Sequence, residues 1–187
     1  MCCILVSEKT RPSIDILTNV FNANSHGAGI TWLNENGKAQ YIKGLDSVVK
    51  INSILDKLTL PYVIHTRLAS SGGKNELLTH PFEITKESEL RLQGECDKTL
   101  VHNGHIHEYE RLLAAAGIYI EKNENNPMSD SRAIAMIAAN NNEKFLHYLT
   151  GNFVIVDSLE KTIRMFGDFK EENGIHFSNM IWKFRGH

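Results

Sequence analysis

At 187 residues, 42% of them apolar and 22% charged, the sequence has the composition of an ordinary soluble globular chain with room for one sizeable core. A net charge of −2, with Lys and Arg scattered among acids, excludes the basic stripe of a nucleic-acid binder, and no apolar run approaches the ~20 residues of a membrane span. The start, Met1-Cys2-Cys3-Ile4-Leu5-Val6, lacks the charged segment of a secretory signal, and three cysteines, two of them adjacent, make a poor disulfide framework. A reducing cytoplasm is the expected home.

Residues 2–7 are β-branched and apolar and predict a strand at the terminus itself. A helix is expected over 14–21, then a glycine-entered strand over 26–33. Asn36-Gly37 is a hairpin turn signal, and 39–42 is the returning strand. Apolar residues Val48, Val49, Ile51, Ile54, Leu55 and Leu58 predict an amphipathic helix within 46–58. Residues 62–67 read as a buried strand ending in polar side chains, followed by a Ser-Ser-Gly-Gly loop. Another strand is expected over 100–106, running into a turn, and then a helix over 108–116 stopped by Gly117. Ser129 and Asp130 can cap a helix over 131–140. Two strands, 151–157 and 162–166, flank a turn, and 175–184 is expected to add strand pairing. With no repeat and no linker-like break, the pattern predicts one α+β domain over 1–187.

Cys2 is the first candidate for chemistry. Removal of Met1 ahead of a small residue would leave Cys2 carrying a thiol and a free α-amine, whose pKa near 8 suits a general base. Cys3 reads as a small buried hydrophobe on the first strand. Three polar clusters sit at element ends: His65-Thr66-Arg67, Asn103-Gly104 and Asp130. An amino-acid substrate needs a cation for its α-carboxylate, which the planar fork of Arg67 suits, and an anion for its α-ammonium, which Asp130 suits. Acyl transfer needs oxyanion donors, and the Asn103 amide and the Gly104 N–H are suitable. Each cluster also has a plain structural reading. Arg67 and Asp130 read equally as a surface ion pair, Asn103-Gly104 as a type I′ turn, and His65 as a satisfied core histidine.

The motifs taken together resemble the class II glutamine amidotransferases. The family opening Met-Cys-Gly-Ile stands here as Met1-Cys2-Cys3-Ile4, and Gly-x-Gly-Ile as Gly27-Ala28-Gly29-Ile30. His-Thr-Arg-x-Ala is His65-Thr66-Arg67-Leu68-Ala69, with His80-Pro81 further on; the oxyanion motif is His102-Asn103-Gly104, and the acidic motif is Ser129-Asp130-Ser131-Arg132. The resemblance implies a four-layer αββα sandwich of the Ntn-hydrolase type. Cys2 would be the nucleophile, with Asn103 and Gly104 holding the oxyanion. Arg67 and Asp130 would grip the glutamine α-carboxylate and α-ammonium, helped by backbone at Ser70, Ser71 and Gly72. It implies glutamine as substrate, no cofactor, and glutamate and ammonia as products.

Three positions depart from the family. Cys3 replaces glycine, Leu68 stands where several members carry an aromatic residue, and Arg132 stands where glutamate is frequent. Only a short tail follows the last expected strands; its Gly167-Asp168-Phe169 and Ser178-Asn179 segments are similar to stand-alone members. Ammonia is therefore expected to go to an acceptor on a separate partner enzyme. The alternatives are a stand-alone hydrolase of a small γ-glutamyl compound and a non-catalytic binding module. A metal site at His102, His105 and His107, with His65 and His80 joining, is the less favoured reading, because His105 and His107 alternate about Ile106 as on a strand's exposed face.

Overall fold

The computed structural model describes residues 2–69 and 75–184. Strands and helices come in the order β1 (Cys3–Ser7), α1 (Ile14–Ala23), β2 (Ala28–Leu33), β3 (Ala39–Leu45), α2 (Val48–Leu55), β4 (Tyr62–Thr66), β5 (Phe82–Glu83), β6 (Gln93–Cys96) and β7 (Lys98–Asn103). They continue as α3 (Tyr109–Ala115), α4 (Asp130–Asn140), β8 (Asn152–Asp157), β9 (Thr162–Phe166), β10 (Lys170–Glu172) and β11 (Ile175–Phe177), with short 3₁₀ turns between. The chain is a mixed α+β protein with two antiparallel sheets, one ordered β10-β11-β1-β4-β2-β3-β6 and the other β5-β7-β8-β9.

The central strands are buried on both faces, and their period-two alternation distributes side chains between separate apolar clusters. Cys3 and Leu5 of β1 join Ile64 of β4 and Leu17, Val20 and Ile51 of α1 and α2. The alternate residues Ile4, Val6 and Val63 join Val101, Val154 and Val156 of the second sheet. On that sheet's other register, Leu100, Phe153 and Ile155 pack with Ile134 and Ile137 of α4. A buried hydrogen bond of 2.9 Å between the Thr31 and Thr99 hydroxyls links the sheets among these apolar residues.

Local signals explain the ends of the elements. The Ser13 and Ser47 hydroxyls accept from the amides of Ile16 and Lys50 and start α1 and α2. After α3, Gly117 takes φ +70°, while its amide and that of Ile118 donate to the Ala114 and Leu113 carbonyls at 3.0 and 2.9 Å. That pair of bonds is the Schellman stop expected of a glycine at this position.

Several expectations change. The second helix spans Val48–Leu55, because Ser47 caps it and a turn at Asp56 and Lys57 closes it. β7 ends at Asn103, so His105 and His107 lie in the turn beyond it rather than on a strand face, with their rings edge to face at 4.2 Å. Among the described residues, the chain's end pairs through β11, against β1 and β10, and then turns into 3₁₀ helix at Ile181–Phe184. β5, β6 and β10 were not expected at all. No helix among the described residues is long and apolar enough to cross a membrane.

Candidate active site

Strand register brings Cys2 beside the arginine motif. Cys3 pairs with Thr66 across β1 and β4, so Cys2 faces the chain where it leaves β4 at Arg67 and Leu68. The Leu68 amide donates to Cys2 Sγ at 3.4 Å. On the other side, Asn179 Nδ2 donates to the Cys2 carbonyl at 2.7 Å. His26 Nδ1 accepts from the Ala69 amide at 2.9 Å and fixes the segment that carries Leu68. Cys2 is thereby held between the chain that leaves β4 and the segment that follows β11. Burial pushes the Cys2 thiol above its ordinary pKa; the Leu68 amide and the nearby Arg67 guanidinium pull it back down, and Asp130 opposes them.

Arg67 leaves β4 with only 6% of its surface exposed, which excludes the surface-pair reading. Burial lowers its pKa, while Cys2 and Asp130 act in the opposite sense. Asp130 begins α4 where Ser129 caps it, the Ser129 hydroxyl accepting from the Arg132 amide at 3.2 Å. Its carboxylate accepts from the Ile106 amide at 2.9 Å and the Ser131 amide at 2.8 Å, which fixes both oxygens at the helix start. Cys2, Arg67, Gly104 and Asp130 line one cavity of about 40 Å³, with His80 and His102 in its wall. Its free volume is room for only a few waters. A roomier groove of about 690 Å³ runs past Trp32, Tyr41, Ile42 and Leu58, but it holds no cysteine or histidine.

Asn103 closes β7 and takes no left-handed conformation, so it is a strand residue and not the first half of a type I′ turn. Its Nδ2 donates to Ser178 Oγ at 2.8 Å. The same hydroxyl accepts from the Ile4 amide at 2.9 Å, while Ser178 N–H donates to the Ile4 carbonyl at 3.0 Å. Ser178 thus ties the asparagine of one sheet to β1 of the other. Gly104 has no freedom for a side chain. An added Cβ would lie 2.6 Å from His102 Nε2 and 3.0 Å from the Gly151 Cα. Gly29 has still less, since its Cβ would fall 1.9 Å from the His80 carbonyl oxygen. This close approach lets the His80 segment lie directly on β2.

His65 and His80 are buried with ring centroids 4.0 Å apart, and His102 stacks on Phe153 at 4.4 Å. His102 Nδ1 shares a 3.0 Å hydrogen bond with Ser131 Oγ. Burial holds His65 at a pKa of about 3 and His102 at about 4, and places His80 well below the ordinary histidine range. Among the described residues, no three His, Cys, Asp or Glu side chains converge as metal ligands would.

Of the expected site residues, Cys2, Arg67, Gly104 and Asp130 come together in one cavity, and Asn103 lies with Cys2 and Gly104 along a neighbouring one. Ser70, Ser71 and Gly72 lie outside the described residues. Ser178, Asn179 and His26 were missed as positioning groups. Ser178 and Asn179 are more than 170 residues from Cys2 in sequence, with no spacing signal to join them, whereas His26 has a weak one in the glycine that follows it.

No family model matches the sequence, and no curated protein does. A solved structure does match: glutamine phosphoribosylpyrophosphate amidotransferase from B. subtilis, complexed with ADP and GMP, with a TM-score of 0.55 and 16% sequence identity. The match covers 95% of this chain and 41% of that one. The two share a fold. The chain therefore spans about two fifths of that amidotransferase's length. The structural match extends beyond the motif-bearing residues to nearly the whole chain.

Two of the departures acquire physical accounts. Cys3 is fully buried in the cluster with Phe177, and burial pushes its thiol up to about 12, so it stays a protonated apolar side chain. Arg132 donates from Nε to the Ser88 carbonyl and from Nη2 to the Glu87 carbonyl, both at 2.9 Å, and from Nη1 to Asn126 Oδ1 at 2.6 Å. It fastens two surface segments to α4. Cys2, Cys3 and Cys96 are all free thiols.

Proposed function

We propose that this chain is a glutaminase domain, single over 1–187 and layered αββα, which hydrolyses the side-chain amide of glutamine. Removal of Met1 frees the Cys2 amine. That amine takes the thiol proton, and the sulfur attacks the amide carbon. The oxyanion forms against the second N–H of Asn103 Nδ2 and the Gly104 N–H. Arg67 holds the α-carboxylate, and Asp130, already fixed by two amides, holds the α-ammonium. The amine then protonates the departing nitrogen, a γ-glutamyl thioester remains, and water releases glutamate. Ammonia passes to an acceptor on a separate enzyme.

One observation carries this reading: a cysteine thiol shares a single small cavity with a buried guanidinium and a carboxylate. An amino-acid head group needs both charges, and a nearby sulfur nucleophile gives them a reaction to serve. The fold shared with a glutamine amidotransferase supports it independently.

A glutamine-analogue diazo-ketone tests the proposal by intact mass. The expected result is one adduct, found only on protein that has lost Met1 and absent from Cys2→Ala. Glutamine hydrolysis at full rate by protein that retains Met1 would overturn it, because an acylated amine cannot act as the base.

A further inference from the structure

Lys43 of β3 is buried, with 3% of its surface exposed. Its Nζ donates to the Leu77 carbonyl at 3.0 Å and the Pro81 carbonyl at 3.2 Å, and lies 4.6 Å from the centre of the Phe82 ring. These two carbonyls close the ends of one short segment, 77–81. Between them, Leu78 and His80 line the small cavity that also holds Cys2, Arg67 and Asp130. Strand register explains how the lysine reaches that segment. Gly29 pairs with Lys43 across β2 and β3 and with His65 across β2 and β4, so the three stand in one row. The His80 carbonyl rests on the bare Cα of Gly29, and the His80 ring lies 4.0 Å from that of His65. The segment is thus laid across the row and tied down at both ends. Burial lowers the Lys43 pKa, while Glu83 acts in the opposite sense. Charged or neutral, the amine keeps at least two N–H groups, one for each carbonyl. An apolar side chain would fill this space without the cost of burying an amine, but it could not fix the two carbonyls.

From this placement we infer that Lys43 is a specificity-determining positioning residue: it sets the width of the head-group cavity and so shuts out amino acids with a substituted α-carbon. The inference rests on Arg67 and Asp130 gripping the α-carboxylate and α-ammonium, as proposed above, and deepens that reading. With both groups held there, the α-carbon lies between them, inside the cavity whose wall includes Leu78 and His80. The free space is about 40 Å³, little more than the ~30 Å³ share of one water in the liquid. A hydrogen on the α-carbon fits within it. A methyl group in its place requires the wall to recede, and the wall is held while Lys43 bonds both ends of the segment.

The test compares L-glutamine with α-methyl-L-glutamine, which keeps both charges and adds one carbon, on Met1-free protein with Cys2→Ala as the blank. Wild type should favour glutamine in kcat/KM by about tenfold or more, the effect of one extra carbon in a fitted pocket. Lys43→Met, which fills the space without donors, should bring the two substrates to within about threefold of each other. It should also raise KM for glutamine with kcat changed less, as lost binding common to ground and transition states does. Lys43→Gln, whose shorter amide cannot span both carbonyls, should fall between the two and serves in place of Lys43→Met where that variant does not fold. A lysine that serves stability alone would lower Tm, and the turnover of both substrates in proportion, with the ratio fixed. An unchanged ratio in the folded variant would therefore overturn the role of Lys43 and leave glutamine hydrolysis standing. Equal turnover of the two substrates by wild type would overturn the narrow head-group cavity. No turnover of either by wild type, and no diazo-ketone adduct, would sink this inference and the proposed function together.

Discussion

Asn103 has two N–H groups, and one is spent on Ser178 at 2.8 Å. That bond orients the amide plane and so fixes the direction of the remaining N–H, the donor assigned to the oxyanion in the mechanism proposed above; without Ser178 the side chain is free to rotate. Ser178→Ala should lower kcat by about tenfold while KM moves little, a smaller loss than the ~100-fold or more that removing an oxyanion donor outright costs. Ser178→Thr keeps the hydroxyl and should recover most of the rate. Equal loss in both variants would show that the position matters only for packing. Gly104 answers to a harder constraint, because two of the three atoms an added Cβ would meet are backbone, the Gly151 Cα at 3.0 Å and the Thr150 oxygen at 3.1 Å. Backbone yields less readily than a side-chain tip. Gly104→Ala should cost about 1–3 kcal/mol of stability, read as a fall in Tm, and should reduce kcat further by shifting the amide proposed to hold the oxyanion.

Among the elements, α4 depends on an arginine that no pattern marks. Arg132 stands just inside the helix, and its guanidinium supplies donors to the Glu87, Ser88 and Pro127 carbonyls. Arg132→Met would leave those carbonyls without their donors, at a cost of about 3 kcal/mol. For a chain of this size that is a fall in Tm of roughly 6–12 °C. Lysine should recover little, since one ammonium cannot span the same acceptors. A thermal melt within 2 °C of wild type would contradict the clamp.

The same contrast separates what was legible from what was not. β1, β4 and β8 were readable because each buries both faces in runs such as Cys3-Ile4-Leu5-Val6 and Phe153-Val154-Ile155-Val156. The three strands that escaped notice have no such signal: β5 is two residues long, β6 is the half-exposed edge Gln93–Cys96, and β10 is Lys-Glu-Glu. Edge strands carry charge and little apolar period, so their sequence resembles loop. At the site, Arg67, Asn103 and Asp130 were legible because each stands at an element end beside a readable strand or cap. The Asn103–Ser178 and Cys2–Asn179 bonds were not, because only the register of β1 against β11 brings those distant stretches together.

Taken as a whole, the molecule stores a pH sensitivity in and behind the wall of its small cavity, which His80 and His102 line and which His65 backs through the His80 ring. His65, His80 and His102 are buried and neutral, and neither ring nitrogen of His80 has a hydrogen-bond partner among the described residues. Folding lowers all three pKa values, to about 3 for His65, about 4 for His102 and well below the ordinary value for His80. In the unfolded chain each returns to about 6.5. Above that value both states are neutral at these sites, and the fold suffers no penalty. As pH falls below it, the unfolded chain takes up protons that the folded one refuses, so stability declines until the folded values are reached. Three such groups give a slope of up to about 4 kcal/mol per pH unit between pH 6 and pH 4. Urea unfolding should therefore show a plateau near pH 7 and a steep loss by pH 5. His80→Leu, which removes one proton site and two unpartnered nitrogens, should flatten that slope by about a third, the share of one site in three. Stability that stays level from pH 7 to pH 5 would mean that all three of these rings reach solvent or a partner. The cavity wall would then be polar and wet, and the burial that raises the Cys2 thiol's pKa would weaken with it.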